Sequence, residues 1–284
     1  MKFLKKIATV FSILILLVLI FYKFSGQIVR KPVKVNPVVH DTKIVLIEGW
    51  TNSEIGDYLQ KQGILEKKIF LERLQDFNKE NQIIITNPSS ADLQGFIFPD
   101  TYLISNNPSS TPRAKADEII GKALTNFNKK ITPAMLQKAD ALNMSIYEIV
   151  TLASIIEKET GRNATTTQEK LNLQNEREMI SGIFYNRLKS GMPLQSDATV
   201  NFITHGGKTQ VTFVETNIDN PYNTYRFKGL PPGPICNPSL ASLEAALNPT
   251  ASSYFYFLHR PDTKEAVYSK TYEEHLKNKA KYLH

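Results

Sequence analysis

Ser145-Ile146-Tyr147-Glu148-Ile149-Val150-Thr151-Leu152-Ala153-Ser154-Ile155-Ile156-Glu157-Lys158-Glu159-Thr160 is the stretch on which the fold turns. Ser145 and Glu148 stand in the pattern of a capping box, in which hydroxyl and carboxylate each satisfy a free amide at a helix start. The predicted helix, Ile149 to about Thr160, is apolar over most of its surface, so it belongs in a core. That apolar face runs straight into two carboxylates. At helical spacing Glu157 stacks over Ala153 and Val150, where a carboxyl is drawn out of water. Such a place disfavours the charged form and suits a general acid near neutral pH. Glu159 falls near Leu152, Ile155 and Ile156, so spacing does not choose firmly between the two. Both can equally be solvated residues at a helix end, beside Lys158.

Upstream, Thr132-Pro133 and Thr111-Pro112 open helices with proline at the first position, the latter running to about Asn126. Before them lies the turn-rich aromatic segment Leu93 to Tyr102. Further back, Lys43 to Ile47 reads as a short strand. Thr51-Asn52-Ser53-Glu54 is a second capping box, starting a helix with Ile55, Tyr58 and Leu59 on one face and a stop at Gly63. Ile69, Phe70, Leu74 and Phe77 mark another helix. Residues 44–90 therefore form a small α+β module, reminiscent of LysM-like glycan-binding modules; a generic helical hairpin on a small sheet fits the pattern equally.

Downstream, residues 161–174 read as a polar surface loop, followed by a helix from about Glu176 to Lys189. Leu194 to Val200 packs Gln195, Asp197 and Thr199 into one polar run. Asn220 to Arg226 and Gly229 to Pro234 are stiff and aromatic, offering Tyr222, Asn223, Tyr225 and Arg226; such loops suit carbohydrate, whose apolar ring faces alternate with hydroxyls, and they also simply brace a domain. Ser239 caps a helix carrying Leu240, Leu243 and Leu247. Strands follow at 254–258 and 266–268, then a last helix at 272–282. Residues 91–284 thus read as a mixed α+β domain, the part to which the resemblance below assigns catalysis.

The N-terminus is of another kind. After Lys2, Lys5 and Lys6 comes an uncharged 16-residue apolar run, Ile7 to Tyr22. It is close to the length of about 20 residues that spans a bilayer, and Lys23 can snorkel. No small-residue cleavage site follows, so residues 1–25 are expected to be an uncleaved signal anchor and 26–43 a stalk. The positive-inside rule leaves the tip cytoplasmic and the body outside, single-pass in the cytoplasmic membrane.

Composition closes off other functions. Seven of the 34 basic residues lie in the first 34 positions with no acidic residue, so the body balances 27 basic against 27 acidic residues. A neutral body has no footprint for a phosphate backbone, and no nucleic-acid partner is expected. The five histidines have no ligand spacing, there is no Gly-x-Ser-x-Gly, and Gly207-Lys208-Thr209 lacks the first glycine of a phosphate loop. No metal or other cofactor is expected. Cys236 reads as a packing residue.

Several segments carry a resemblance in the same order: ASIIEKET at 153–160, GFIFPDTY at 95–102, NRL at 186–188, GMPLQSDATV at 191–200, PYNTYRFKGLPPGPICNP at 221–238 and YFYF at 254–257. Over about residues 44–280 the chain resembles the MltG-type (YceG-like) endolytic murein transglycosylases. The resemblance implies a lyase that cuts the β-1,4 bond between N-acetylmuramic acid and N-acetylglucosamine in nascent glycan strands, leaving 1,6-anhydro ends. It places the catalytic glutamate on Glu157, as acid and then base. Gln195, Asp197, Thr199, Tyr222, Asn223, Tyr225 and Arg226 are the expected substrate-binding residues. Peptidoglycan strands are the implied partner, with peptidoglycan synthases (penicillin-binding proteins) beside them. Two departures stand out: Gln94 occupies a position where the family commonly has glutamate, and the 161–174 connection is long. A lysozyme-like hydrolase with Asp197 as base or nucleophile, and a non-catalytic glycan-binding protein, are the competing readings.

Overall fold

The computed structural model describes Lys23 and residues 41–81, 92–107, 109–162, 164–206 and 211–283. All of the expected anchor but Lys23, and nearly all of the stalk, lie outside these residues. Among the described residues no single helix is long and apolar enough to cross a membrane.

The chain opens with β1 (Thr42–Val45), α1 (Asn52–Lys61), α2 (Lys67–Asn81), β2 (Thr101–Ile104), α3 (Pro112–Lys130) and α4 (Pro133–Ala141). It continues through α5 (Ile146–Thr160), α6 (Thr167–Lys189), α7 (Asp197–Thr204) and a 3-10 turn at Glu215–Asn217. It ends with α8 (Leu240–Leu247), β3 (Tyr256–His259), β4 (Ala266–Ser269) and α9 (Tyr272–Tyr282). The α+β class is as expected. Both sheets are antiparallel pairs, β1 with β2 (Ile44 opposite Tyr102) and β3 with β4 (Leu258 opposite Val267).

α5 is the spine. Both halves of the Ser145–Glu148 capping box form, the Ser145 amide donating to Glu148 Oε2 at 2.8 Å. From Ile149 to Glu157 every residue is buried. α8, α6, α4 and α7 pack around it, and each fully buried leucine or isoleucine there contributes about 1.5–3 kcal/mol. One apolar cluster runs from Ile44, Leu59 and Phe70 through Ile119 and Ile120 to Leu152, Phe184 and Leu243. β1 pairs with β2 across the boundary drawn at residue 90, and α2 packs on α3, so the first sheet draws on both sides of that line.

Buried Asn237 stitches three segments together. Its Oδ1 accepts from the Gly95 and Ile97 amides, both at 3.0 Å, and its Nδ2 donates to Trp50 O at 2.9 Å and Asn52 Oδ1 at 3.0 Å. Gly95 has φ +93, and a Cβ there would come within 2.6 Å of Pro234, so both conformation and space require glycine. Next to it, Gln94 Oε1 accepts the Asn52 amide at the start of α1, at 2.9 Å. An amide serves as a helix cap there without carrying charge.

The connection after α5 differs from the expected surface loop. Thr166 and Glu169 form a third capping box, and α6 starts at Thr167 rather than near Glu176. Its first turns are exposed and polar, so no apolar face announces them; burial starts at Leu173. The long polar insertion is helix more than loop.

Candidate active site

The two carboxylates of α5 point into different surroundings. Glu157 is only 4% exposed. Its Oε2 accepts from Ser239 N at 3.0 Å, Ser239 Oγ at 2.5 Å and Ser242 Oγ at 2.8 Å, all at the N-terminus of α8. A carboxylate there neutralises free amides and the positive end of the helix dipole, which joins the two central helices. Three donors on one oxygen commit it as an acceptor inside the core. Glu48 lies on this side too, its carboxyl held above the ordinary range by burial and then by Glu157, with Arg177 opposing.

Glu159 keeps partial exposure and faces the segment before α7. Ser196 Oγ donates to its Oε1 at 2.5 Å. Burial pushes the Glu159 carboxyl above the ordinary range; the Ser196 bond and the charges of His259 and Arg187 oppose this, while Asp197 adds to it. A carboxyl that holds its proton to higher pH, on a partly exposed residue and next to a second carboxylate, has the properties of a general acid. Of the two, Glu157, the residue the resemblance singles out, is bound up between helices, and Glu159 meets the polar group before α7.

The neighbours of Glu159 are held firmly. Gln195 takes a left-handed backbone (φ 51), unusual for a residue with a side chain, and its amide donates to Thr224 O at 3.0 Å. That kink delivers Ser196 to Glu159 and starts α7 at Asp197. Asp197 accepts the Tyr225 hydroxyl on Oδ1 and the Val211 amide on Oδ2 at 3.3 Å. Burial and then the Asp197 bond push the Tyr225 phenol up, so it stays a donor. Arg187, 6% exposed, donates to Phe255 O at 2.6 Å, Leu194 O at 2.9 Å and Gln195 Oε1 at 3.3 Å, with its guanidinium 5.0 Å from the Tyr256 ring centroid. It pins the loop carrying Gln195 and Ser196 to the lead-in of β3.

Of the expected substrate-binding residues, Gln195, Asp197 and Tyr225 gather at Glu159, and four are used differently. Thr199 is fully buried, bonding Ser196 O at 2.8 Å and Thr224 Oγ1 at 2.9 Å. Asn223 is also fully buried, its Nδ2 donating to Thr216 O at 3.0 Å and Ile218 O at 2.8 Å. Tyr222 packs on Phe202 with ring centroids 5.0 Å apart, and burial pushes its phenol up to about 12. Arg226 turns outward to Asn217 O at 3.0 Å and to Asp219. These polar and aromatic residues build the loop rather than line the group at Glu159. Ser196, Arg187 and His259 are members that residue patterns did not single out, although Ser196 and Arg187 lie inside the quoted QSD and NRL segments.

A cleft of about 410 Å³, lined by Met144, Tyr147, Glu148, Thr151, Leu188 and residues 229–232, runs beside the other end of α5. Cys236 is buried, its thiol bonded to Ser154 O at 3.3 Å. Among the described residues no group of three or more His, Cys, Asp or Glu is placed to hold a metal ion.

Comparison with known proteins adds identity to this geometry. The chain is similar to a protein of Bacillus subtilis (strain 168) named endolytic murein transglycosylase, 32% identical over 252 residues covering 85% of this chain and 65% of that protein. A Streptococcus pneumoniae (serotype 2, strain D39) protein of the same name is 28% identical over 262 residues, covering 84% of this chain and 44% of its own length. The chain therefore spans less than two thirds of either relative. The 2.6 Å crystal structure of a yceG-like protein from Listeria monocytogenes superposes with a TM-score of 0.69 at 32% identity, covering 84% of this chain and 76% of the other. The YceG-like family profile matches residues 24–281, taking in α5, α7 and the loops that meet at Glu159, and the chain belongs to that family.

Proposed function

We propose that this chain is a membrane-anchored endolytic lytic transglycosylase of peptidoglycan, with Glu159 as its acid and base. The supporting observation is the placement of Glu159, a carboxyl that burial holds above the ordinary range, beside Ser196, Asp197 and Tyr225. The relatives' names support the choice of substrate. In the first step Glu159 gives its proton to the glycosidic oxygen as the bond from the muramoyl C1 breaks, and N-acetylglucosamine leaves with a free 4-hydroxyl. The Glu159 carboxylate then takes the proton of the muramoyl C6 hydroxyl as that oxygen bonds to C1, closing the 1,6-anhydro ring. One carboxyl serves both steps, and no second carboxylate has to hold a water. Asp197 fits an electrostatic role better than that of a hydrolase base, because Tyr225 and the Val211 amide occupy one oxygen each.

The test is mass spectrometry of peptidoglycan digested by the full chain in detergent, for wild type, Glu159→Gln and Glu157→Gln. Internal cuts with 1,6-anhydro ends, abolished in Glu159→Gln and retained in Glu157→Gln at matched folded concentration, support the reading. Reducing muramic ends make the protein a hydrolase. Loss of cutting only in folded Glu157→Gln returns the acid to that residue.

The remaining assignments rest on sequence and resemblance. The Ile7–Tyr22 run anchors the body on the outer side of the cytoplasmic membrane, residues 44–90 act as a LysM-like glycan contact, and peptidoglycan synthases are the neighbours. Protease protection of the N-terminal tip alone in sealed spheroplasts tests the first. Co-purification with penicillin-binding proteins under mild detergent tests the last.

A further inference from the structure

No residue of α9 is buried, yet the helix is fixed in place: it packs on β3 and β4, and Asn278 Nδ2 donates to Ser269 Oγ at 2.9 Å. Tyr272, His275 and Leu276, three and four positions apart, share one of its faces. Two of them meet Tyr256 of β3. The Tyr256 and His275 rings stack with centroids 5.4 Å apart and planes at 25°, while Tyr272 lies 5.9 Å from Tyr256 and 6.5 Å from His275. Three rings so gathered ordinarily belong to a core, but Tyr272 is 59% exposed and Leu276 46%. His275 Nδ1 is buried without a hydrogen-bond partner, so stacking rather than hydrogen bonding accounts for where that ring lies. Burial, then the charges of Lys279 and Arg187, hold the imidazole below its ordinary value, and at neutral pH it is an uncharged aromatic ring.

Contacts join this cluster to the polar group at Glu159. The Arg187 guanidinium, 5.0 Å from the Tyr256 ring centroid, donates to Gln195 Oε1 at 3.3 Å and to Leu194 O at 2.9 Å. The next residue, Ser196, donates to Glu159 Oε1 at 2.5 Å. We propose that Tyr256, Tyr272 and His275 form a stacking shelf for an N-acetylated sugar ring of the glycan strand, outside the bond that breaks. This rests on the lytic transglycosylase reading given above. An enzyme that cuts within a strand holds sugars on both sides of the cut, and Ser196, Asp197, Tyr225 and Arg187 supply hydrogen bonds and charge there without an exposed aromatic ring. A hexosamine has a face of C–H groups, which the negative face of an aromatic ring attracts, and hydroxyl and acetamide groups at its rim, which phenol and imidazole edges can bond. The apolar area also fits. Two exposed apolar side chains among exposed Glu273, Glu274 and Lys277 fall short of what a stable protein partner covers, but they match a single sugar ring.

The experiment uses the full chain in detergent micelles, as wild type, Tyr272→Ala and Tyr272→Phe, with purified peptidoglycan sacculi as the probe. Binding is read by co-sedimentation on ice, cutting by release of anhydro ends, and folding by Tm. Loss of one ring stack should weaken co-sedimentation and raise KM by about two- to tenfold in Tyr272→Ala. Its kcat and Tm should stay at the wild-type values, because the side chain is exposed and lies outside the bond that breaks. Tyr272→Phe keeps the ring and should match wild type throughout. Unchanged co-sedimentation and KM in Tyr272→Ala overturn the shelf. An equal loss in Tyr272→Phe also overturns it, since the hydroxyl and not the ring is then the contact. So does a fall in Tm that tracks the weaker binding, which makes the rings structural, or a loss of co-purifying protein with sacculus binding intact, which makes the face a protein contact. If co-sedimentation weakens in Tyr272→Ala alone while wild type releases no anhydro ends, the shelf stands and the lyase reading falls.

Discussion

Glu157 and Glu159 lie two residues apart on one helix and look opposite ways: Glu157 Oε2 is taken by Ser239 and Ser242, while Glu159 Oε1 takes the hydroxyl of Ser196 at 2.5 Å. Two residues along an α-helix turn the side chain through about 200°, so one carboxylate joins helices inside the core and the other meets the segment before α7.

That division predicts opposite stability effects. Glu157→Gln replaces an acceptor of three donors with a group whose Nε2 meets donors, and its cost is about 1–3 kcal/mol. Glu159→Gln removes a carboxyl whose ionisation burial opposes. Thermal unfolding at neutral pH should show a Tm several degrees lower for Glu157→Gln, at about 2–4 °C per kcal/mol for a body of this size, and an unchanged or higher Tm for Glu159→Gln. Equal losses in both would sink the distinction.

The raised Glu159 carboxyl also fixes the sign of a pH effect. Between the unfolded value near 4.5 and the higher folded value, the folded state binds the extra proton. Stability therefore falls as pH rises through that window and is flat above it. In the proposed reaction activity follows the same direction, because its first step needs the protonated acid and is lost as pH passes the folded value. Denaturant midpoints of wild type and Glu159→Gln, measured from pH 4 upward, should diverge in favour of the variant as pH increases.

Tyr225→Phe removes the hydroxyl bonded to Asp197 and leaves the ring in place. A charge-assisted hydrogen bond contributes about 1.5–3 kcal/mol, so at about 2–4 °C per kcal/mol Tm should fall by several degrees, and in the proposed reaction kcat should stay low well below the melting range because Asp197 beside Glu159 has lost its partner. Thr199→Val, by contrast, alters a fully buried hydroxyl that bonds Thr224 and Ser196. It should lower stability first, with activity recovering at lower temperature. Rates and melting curves measured together separate the two cases.

Local sequence made much of this structure legible. The boxes at Thr51–Glu54 and Ser145–Glu148 form as expected, because capping needs only residues three apart. The same pattern at Thr166–Glu169 lies in a run of threonines and polar residues with no apolar face to mark a helix, and α6 begins there. Pairing of β1 with β2 is set by residues about 60 positions apart and leaves no local mark. The choice between Glu157 and Glu159 has the same cause: periodicity says which residues share a face, while Ser239 and Ser242, some 80 positions on, decide what covers it. Asn223 and Thr199 looked like binding groups by chemistry alone, yet their polar atoms are consumed in holding the loop that presents Tyr225.

Asn237 gives the sharpest test of how the front of the chain supports the catalytic helix. Its side chain serves Gly95, Ile97, Trp50 and Asn52 at once, and α5 touches the same segment where Val150 closes on Gly95. Asn237→Ala strands two buried amides and frees two acceptors, at about 1–3 kcal/mol for each group left unsatisfied. Asn237→Asp keeps the acceptor for Gly95 and Ile97 but sets a charge against Trp50 O and Asn52 Oδ1. Both should unfold at lower denaturant, Ala by several kcal/mol, with protection of the Gly95 and Ile97 amides in hydrogen exchange lost first. If those two amides keep wild-type protection in Asn237→Ala, the side chain is not what holds 94–97 against 49–52, and backbone packing around Pro234 must carry that junction instead.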